Sequence, residues 1–144
     1  MTQDAFQRSD ASHALADQKE QIVRRLLDAL EARDLAAIDE LLADDVVYYF
    51  PGRGPVGGTY RGREAVLGLF SSFAALFDGP IEMSTHDVVA SEAHVVDLAS
   101  YAGLRGGERF TWNTVRLYHV DGDRIAEIWL MIGDQYAFDA WLAD

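Results

Sequence analysis

The sequence predicts an α+β fold in which helices cover one face of a curved antiparallel sheet, with a short helix at the C-terminus. Apolar residues recur at helical spacing in the first half of the chain, and successive turn signals separate apolar-rich segments in the second half. The last of these turns, Asp121-Gly122, is a strong hairpin signal because both positions favour positive φ. A chain of 144 residues is also long enough to bury one substantial core.

The first two helices are predicted to form a hairpin. Asp17 and Glu20 can cap the first helix, whose apolar face is formed by Ile22, Val23, Leu26, Leu27 and Leu30. Asp34 can cap the second, with an apolar face of Leu35, Ile38, Leu41 and Leu42. Residues 1–16 have no sustained period and are predicted to be a flexible arm, which leaves a single domain over residues 17–144.

A strand and a third helix follow. Residues 46–50 are β-branched or aromatic and end at Pro51, which predicts a short strand. The Gly- and Pro-rich residues 51–62 predict a loop at the rim of a pocket. The third helix is predicted from Arg63 to about Phe77, with large apolar residues along one side.

The remaining chain is predicted to form four antiparallel strands and a terminal helix. Turn signals at Ser91-Glu92, Gly106-Gly107 and Asp121-Gly122 separate the strands, and the helix begins near Gly133-Asp134. Long strands tend to curl, so the helices are expected to enclose a cone-shaped cavity between themselves and the sheet.

The charge and composition restrict the partners of the chain. Twelve Lys and Arg residues stand against 24 Asp and Glu residues, and the formal net charge of −12 disfavours a nucleic acid or an anionic membrane. The absence of Cys removes disulfides and thiolate metal sites, and the chain has no apolar segment long enough to span a bilayer. A cytoplasmic location is therefore expected.

The order of the predicted elements resembles the nuclear transport factor two-like superfamily, which includes ketosteroid isomerases, SnoaL-like cyclases and limonene epoxide hydrolases. The stretches that carry the resemblance are LLDALEARDLAAIDELLADDVVYYFPG, YRGREAV and VDGDRIAEIW. The resemblance covers nearly all of the chain from Asp17 onward. It implies a cystatin-like, cone-shaped α+β barrel, but the superfamily carries many chemistries on this fold.

Residue by residue, the resemblance to the SnoaL-like proteins is the closest. Ketosteroid isomerases would need an Asp where this chain has Phe50, so their base is missing, and the Arg-x-Asp element of the epoxide hydrolases has no match near Trp112–Arg116. SnoaL-like cyclases place an Asp after the last strand, following a His-Trp pair. This chain keeps Trp129, has Ile128 in place of the His, and offers Asp134 with one residue of slippage.

Asp134 and His86 are the candidate catalytic residues. Apolar neighbours at a cavity mouth could raise the pKa of Asp134, although this residue also stands where it could simply cap the terminal helix. His86 lies on a predicted strand beside Val88 and could exchange protons near neutral pH, although a lone strand His is more often structural. If both faced the cavity, they would form an acid/base pair.

The candidate ligand-binding residues are mostly aromatic. Trp112 and Arg116 lie on a strand face that the resemblance turns toward the cavity, where Arg116 could hold a ligand oxygen or instead pair with Asp97 or Glu127. The hydroxyl groups of Tyr49 and Tyr101 could donate hydrogen bonds to a ligand. Alternatively, both residues could be core aromatics whose hydroxyl groups only contact water. The remaining expected wall residues are Phe73 and Trp129. No metal site is expected, because His13, His86, His94 and His119 have no ligand spacing.

These observations lead to two functional hypotheses and a set of expected partners. The first is a SnoaL-like enzyme that performs cofactor-independent acid/base chemistry, such as cyclisation, isomerisation or dehydration, on a hydrophobic polyketide-like or ketone substrate. The alternatives are a non-catalytic module of the same fold, used for small-molecule binding or dimerisation, and an epoxide hydrolase-like enzyme. A homodimer is expected because the other sheet face carries apolar residues such as Val115 and Leu117.

Overall fold

The computed structural model describes residues 3–143, with side chains described from residue 10 onward, and confirms the α+β class. In chain order its elements are α1 (Gln3–Ala32), α2 (Leu35–Leu41), β1 (Leu42–Phe50), β2 (Gly58–Arg61), α3 (Arg63–Ala74), β3 (Glu82–Ala90), β4 (Val95–Arg105), β5 (Glu108–Asp121), β6 (Arg124–Ile132) and α4 (Gln135–Leu142). None of the helices within this part of the chain has both the length and the apolarity that crossing a membrane requires.

The strands form one curved sheet in the order β2-β1-β6-β5-β4-β3. β1 runs parallel to β6 and all other neighbours are antiparallel, so the sheet is mixed rather than antiparallel throughout. The sequence does not reveal this pairing, because β1 and β6 are far apart in the chain. β2 lies within the stretch predicted to be a loop, where it pairs with the end of β1.

Helix α1 is longer than its apolar pattern predicts. It begins at Gln3 rather than at Asp17, and the Ser12 hydroxyl donates a hydrogen bond of 2.7 Å to Glu92 Oε2 in the β3–β4 turn. Lys19 Nζ donates to the Glu92 carbonyl oxygen at 2.6 Å. The part of α1 that has no apolar stripe therefore contacts the β3–β4 turn through polar groups. The predicted division into an arm and a domain stays a prediction.

The predicted caps of α2 and α4 are confirmed. Asp34 Oδ1 accepts a hydrogen bond from the Ala37 backbone N–H at 3.1 Å, and Asp134 Oδ1 accepts one from the Ala137 N–H at 3.0 Å. Each side chain thus satisfies a donor that the first turn of a helix leaves without a partner. α3 ends at Ala74, before Phe77, which instead packs into the core.

Bulges change which face of the sheet some residues occupy. The β3–β4 register shifts between Thr85 and Asp87, so His86 and Val88 do not share a face as they would in a regular strand. Val88 is buried, whereas His86 is exposed. Further shifts lie in the β5–β6 and β1–β6 pairings. Bulges strengthen the local twist of a sheet, and the concave face that results is covered by α1, α2 and α3.

Candidate functional site

A cavity of about 290 Å³ lies between the concave face of the sheet and the helices. Most of its wall is apolar, with contributions from Leu30, Ile38, Phe70, Phe73, Ile81 and Met83. Polar side chains reach it from two sides: Glu31 and Arg33, both exposed, and Tyr101 and Arg116 on the sheet. An apolar wall with a few polar groups is typical of a site for a small organic molecule.

A smaller compartment of about 30 Å³ adjoins this cavity. Phe70, Phe73, Tyr101 and Arg116 line both spaces, so the two are neighbours along the same wall. The smaller compartment is also lined by Tyr48, Phe50, Leu69, Trp112, Thr114 and Leu130. It has room for one water molecule or one small polar group of a ligand.

Arg116 on β5 is the centre of the polar part of the site. Its Nε donates a hydrogen bond to the Tyr48 hydroxyl oxygen at 3.2 Å, and its Nη1 donates one to the Tyr101 hydroxyl oxygen at 2.5 Å. The guanidinium carbon also lies 5.3 Å from the centre of the Tyr101 ring. Three strands, β1, β4 and β5, therefore hold the guanidinium group in place. Each tyrosine accepts from Arg116, which leaves its own hydroxyl hydrogen for another acceptor.

The charge states of these groups follow from their burial and their neighbours. Burial lowers the pKa of Arg116, but Tyr101, Tyr48, Tyr118 and Asp97 together raise this pKa well above its ordinary value, so the guanidinium stays cationic. Burial raises the pKa of the Tyr101 hydroxyl, and the opposing effect of Arg116 does not cancel this rise. Tyr101 is therefore a neutral hydrogen-bond donor at physiological pH.

Asp97 lies opposite Arg116 in the β4–β5 register and is fully buried. Its Oδ2 accepts a hydrogen bond from the Tyr118 hydroxyl, while Oδ1 has no partner within the described residues. Burial raises the pKa of this carboxyl group, and Arg116 and the hydrogen bond from Tyr118 lower it by less. The hydroxyl oxygen of Thr114 is the other buried side-chain oxygen without a partner in the part of the chain described.

Aromatic rings build the rest of the wall. Tyr101 and Trp112 stack with ring centres 5.6 Å apart, and Phe73 meets Trp112 edge-on at 6.2 Å. Phe77 stacks on Trp112 at 5.7 Å. Rings packed in this way hold the apolar wall in a defined shape, and each pair adds about 0.5–1.5 kcal/mol beyond its burial.

Four of the expected ligand-binding residues reach the cavity, and two do not. Tyr101, Arg116 and Phe73 line the main space, and Trp112 lines the smaller one. The expectations for Tyr49 and Trp129 are corrected: neither is among the residues that line these two spaces, and their rings stack on each other at 5.3 Å. Their partners in the β1–β6 register place both on the face opposite the buried side chains.

The expected acid/base pair of His86 and Asp134 is also corrected. Both side chains are exposed, and neither lines the two spaces. His86 Nε2 lies 2.5 Å from Ser100 Oγ, which in turn donates to Asn113 Oδ1 at 2.7 Å. Asp134 caps α4, the alternative that the sequence left open. The bulge at His86 and the cap at Asp134 explain why neither faces the cavity.

Tyr48, which accepts a hydrogen bond from Arg116, is a site residue that the sequence reasoning missed. It is 2% exposed, and its neighbours at every second position, Val46 and Phe50, are also buried. Counting by two from Phe50 would have selected Tyr48 rather than Tyr49. Among the residues described, no group of His, Asp and Glu could hold a metal ion.

The chain is similar to uncharacterised proteins and to solved structures with this fold. Uncharacterised proteins of Mycobacterium bovis and Mycobacterium tuberculosis are each 27% identical to it over 123 residues, which are 85% of this chain and 94% of theirs. The structure of Bal32a, from a soil-derived mobile gene cassette, matches with a TM-score of 0.85 at 24% identity, covering 89% of this chain and 98% of Bal32a.

Two further structures carry more specific descriptions. A hypothetical protein of Catenulispora acidiphila with a ketosteroid isomerase-like fold, in complex with trimethylamine, matches with a TM-score of 0.70 at 20% identity over 85% of this chain and 91% of its own. An LEH-like epoxide hydrolase of M. tuberculosis matches with a TM-score of 0.68 at 21% identity, covering 88% of this chain and 92% of its own. At these identities the likeness shows the fold alone.

The family assignment depends on the sequence. The model of the SnoaL-like domain matches residues 23–128, which include the C-terminal part of α1, all of α2 and α3, and most of the sheet. This match confirms the resemblance to the SnoaL-like proteins. The chain belongs to the SnoaL-like domain family.

Proposed function

We propose that this protein binds a small, largely apolar molecule in the 290 Å³ cavity and holds one oxygen of that molecule against Arg116 and Tyr101. The observation that carries the proposal is the guanidinium group at the cavity wall, which is oriented by hydrogen bonds to Tyr48 and Tyr101. A half-buried cation placed beside an apolar surface favours a ligand with one polar end.

The second candidate function is catalysis by the same group. Arg116 and the neutral Tyr101 hydroxyl are suited to stabilise negative charge that develops on a carbonyl oxygen. Such stabilisation would support cyclisation, isomerisation or dehydration of a ketone without a cofactor. In this proposal Tyr101 donates the hydrogen bond and Arg116 supplies the charge. An epoxide hydrolase-like reaction is a weaker alternative, supported only by likeness of fold.

The test of the first proposal is to identify the occupant of the cavity. Purified protein would be incubated with a bacterial small-molecule extract and examined by native mass spectrometry, and the captured compound would then be titrated by calorimetry. Tyr101→Phe and Arg116→Gln are expected to weaken binding about tenfold or more, because each removes a hydrogen bond in a desolvated site. Tyr49→Phe is the matched control, since Tyr49 does not line the cavity. Equal affinity of Tyr101→Phe and Tyr49→Phe would contradict the proposal.

The test of catalysis uses turnover of the captured compound. Arg116→Gln and Tyr101→Phe should lower kcat, whereas His86→Ala and Asp134→Asn should leave it unchanged, because these two side chains are exposed outside the cavity. Loss of turnover in His86→Ala would instead restore the acid/base pair expected from the sequence. If the compound binds but is not converted, the protein is a binding module.

We also propose a homodimer formed through the convex face of the sheet. Leu98 and Met131 are exposed there, 38% and 47%, and Val115 lies between them in the β4–β5–β6 register. Apolar side chains next to one another on an exposed sheet favour burial against a second copy.

A further inference from the structure

We infer that the polar end of the ligand is a carboxylate, bound by Arg116 where the main cavity meets the smaller compartment. This inference deepens the proposed function and depends on it. It goes further because it assigns a charge to the ligand and adds Thr114 to the residues that contact it. It predicts that a neutral ketone or a cationic amine of the same shape binds more weakly than the carboxylate.

The hydrogen bonds of Arg116 leave one side of its guanidinium group available. Nε and Nη1 donate to Tyr48 and Tyr101, whereas Nη2 has no acceptor among the residues that the structure describes. Arg116 lines both the cavity and the smaller compartment. A guanidinium group presents its N–H donors in a planar fork that matches the two oxygens of a carboxylate. The two tyrosines therefore fix the fork and leave part of it for a ligand.

The other polar groups at this junction can also donate. The Tyr48 and Tyr101 oxygens already accept from Arg116, so their hydrogens need other acceptors. Thr114, 4% exposed as a residue, lines the smaller compartment, and its hydroxyl oxygen has no partner in the described chain. A carboxylate, which only accepts hydrogen bonds and has more lone pairs than a ketone oxygen, can satisfy several of these donors together.

The charge balance around Arg116 favours an anion as well. The titratable groups that face it are Asp97 and Tyr101 on β4, Tyr118 on β5 and Tyr48 on β1. Asp97 is the acidic residue among them; it makes no ion pair with Arg116 within the described residues and is bonded to Tyr118 instead. Burial also favours the neutral form of Asp97. Arg116 is half-buried at the cavity wall and makes no ion pair within the described residues, so an anionic ligand would supply a paired countercharge there.

The size of the cavity limits the acid to a compact one. At about 290 Å³ the cavity is at the lower end of the range for sites that take drug-sized ligands. Its aromatic wall suits an aryl or alkenyl group. Cinnamate fits this description, and two neutral compounds share its shape: cinnamamide and the methyl ketone benzylideneacetone.

The experiment is a calorimetric titration of the whole protein with cinnamate, cinnamamide and benzylideneacetone near neutral pH. Cinnamate is expected to bind about tenfold tighter than either neutral compound, which is the discrimination that a hydrogen bond to a charged group gives. In Arg116→Gln this preference should disappear, while Tyr49→Phe should retain it. The comparison of the three ligands in the wild-type protein tests the inference even if Arg116→Gln fails to fold.

The results separate this inference from the proposed function. If benzylideneacetone binds as tightly as cinnamate or more tightly, the carboxylate assignment is wrong, and the proposal of an apolar site with an oxygen anchor still stands. If none of the three compounds binds at about millimolar concentration, both proposals fail. A preference for cinnamate that survives in folded Arg116→Gln would also overturn the assignment, because another group would then bind the carboxylate.

Discussion

Replacement of Thr114 by Val should stabilise the protein and weaken its ligand binding. Thr114 is 4% exposed, and its hydroxyl oxygen has no partner within the described part of the chain. Valine has a similar branched shape, so it preserves the packing on β5 while removing the polar atom. A buried hydroxyl without a partner lowers the stability of the free protein. We therefore expect this hydroxyl to form a hydrogen bond with the ligand.

The expected gain follows from the burial of this hydroxyl. A buried polar group left without a partner costs about 1–3 kcal/mol, and its replacement by an apolar group of the same shape recovers part of this. The adjoining compartment of about 30 Å³ can hold a water molecule that would satisfy the hydroxyl in part. We therefore expect the free energy of unfolding of Thr114→Val to rise by about 1 kcal/mol.

The assay is urea denaturation followed by tryptophan fluorescence, with Thr111→Val as the control. Thr111 lies on the same strand but is exposed, so its replacement should change the unfolding free energy by less than about 0.5 kcal/mol. Binding of cinnamate should weaken in Thr114→Val and stay the same in Thr111→Val. A Thr114→Val protein that is less stable than the wild type would refute the reasoning, because the hydroxyl must then have a partner in the free protein.

Three further predictions test the core and the outer face. Because the folded-state pKa of Asp97 lies above its ordinary value of 3.8, wild-type stability should fall as the pH rises from 3.8 through that pKa. The free energy of unfolding of Asp97→Asn, relative to that of the wild type, should rise over the same pH range. Parallel pH–stability curves of the two proteins would contradict this prediction. Gly103→Ala should lower the free energy of unfolding by about 1–3 kcal/mol, since the new Cβ would lie 2.6 Å from Phe77 Cδ1. Gly68→Ala, in an open helical position, should raise it by up to about 1 kcal/mol. Equal denaturation midpoints of the two variants would contradict this prediction. Light scattering should report a dimer that Leu98→Asp converts to monomers, and a monomeric wild type would contradict the dimer.

Local patterns were sufficient to predict most of the elements. Asp34 and Asp134 cap helices as their positions before apolar stripes indicate, and the hairpin between β5 and β6 turns at Gly122-Asp123, one residue after the predicted Asp121-Gly122. The period of two along β5 correctly placed Trp112 and Arg116 on one face, since that strand is regular until the shift after His119. These predictions succeeded because neighbouring residues alone determine them.

The composition of the site depends on longer-range features that the sequence does not display. A bulge reverses the alternation of β3 at His86, and no residue type there marks it. The choice between Tyr48 and Tyr49 depends on which face of β1 meets the helices. The two adjacent tyrosines leave that face open, and only the alternation with Val46 and Phe50 favours Tyr48. Asp97 was considered only as an ion-pair partner of Arg116, because a hydrogen bond to Tyr118 requires knowledge of the register.

The single parallel pairing, β1 with β6, also has a consequence for the order of folding. Strands β3 to β6 are joined by short connections and can pair early, whereas β1 must close a loop that includes most of the chain. Tyr101 and Arg116 would then be in place before Tyr48 arrives. We expect stopped-flow refolding to show cinnamate binding only in the slowest phase, and binding in an earlier phase would contradict this sequence of events.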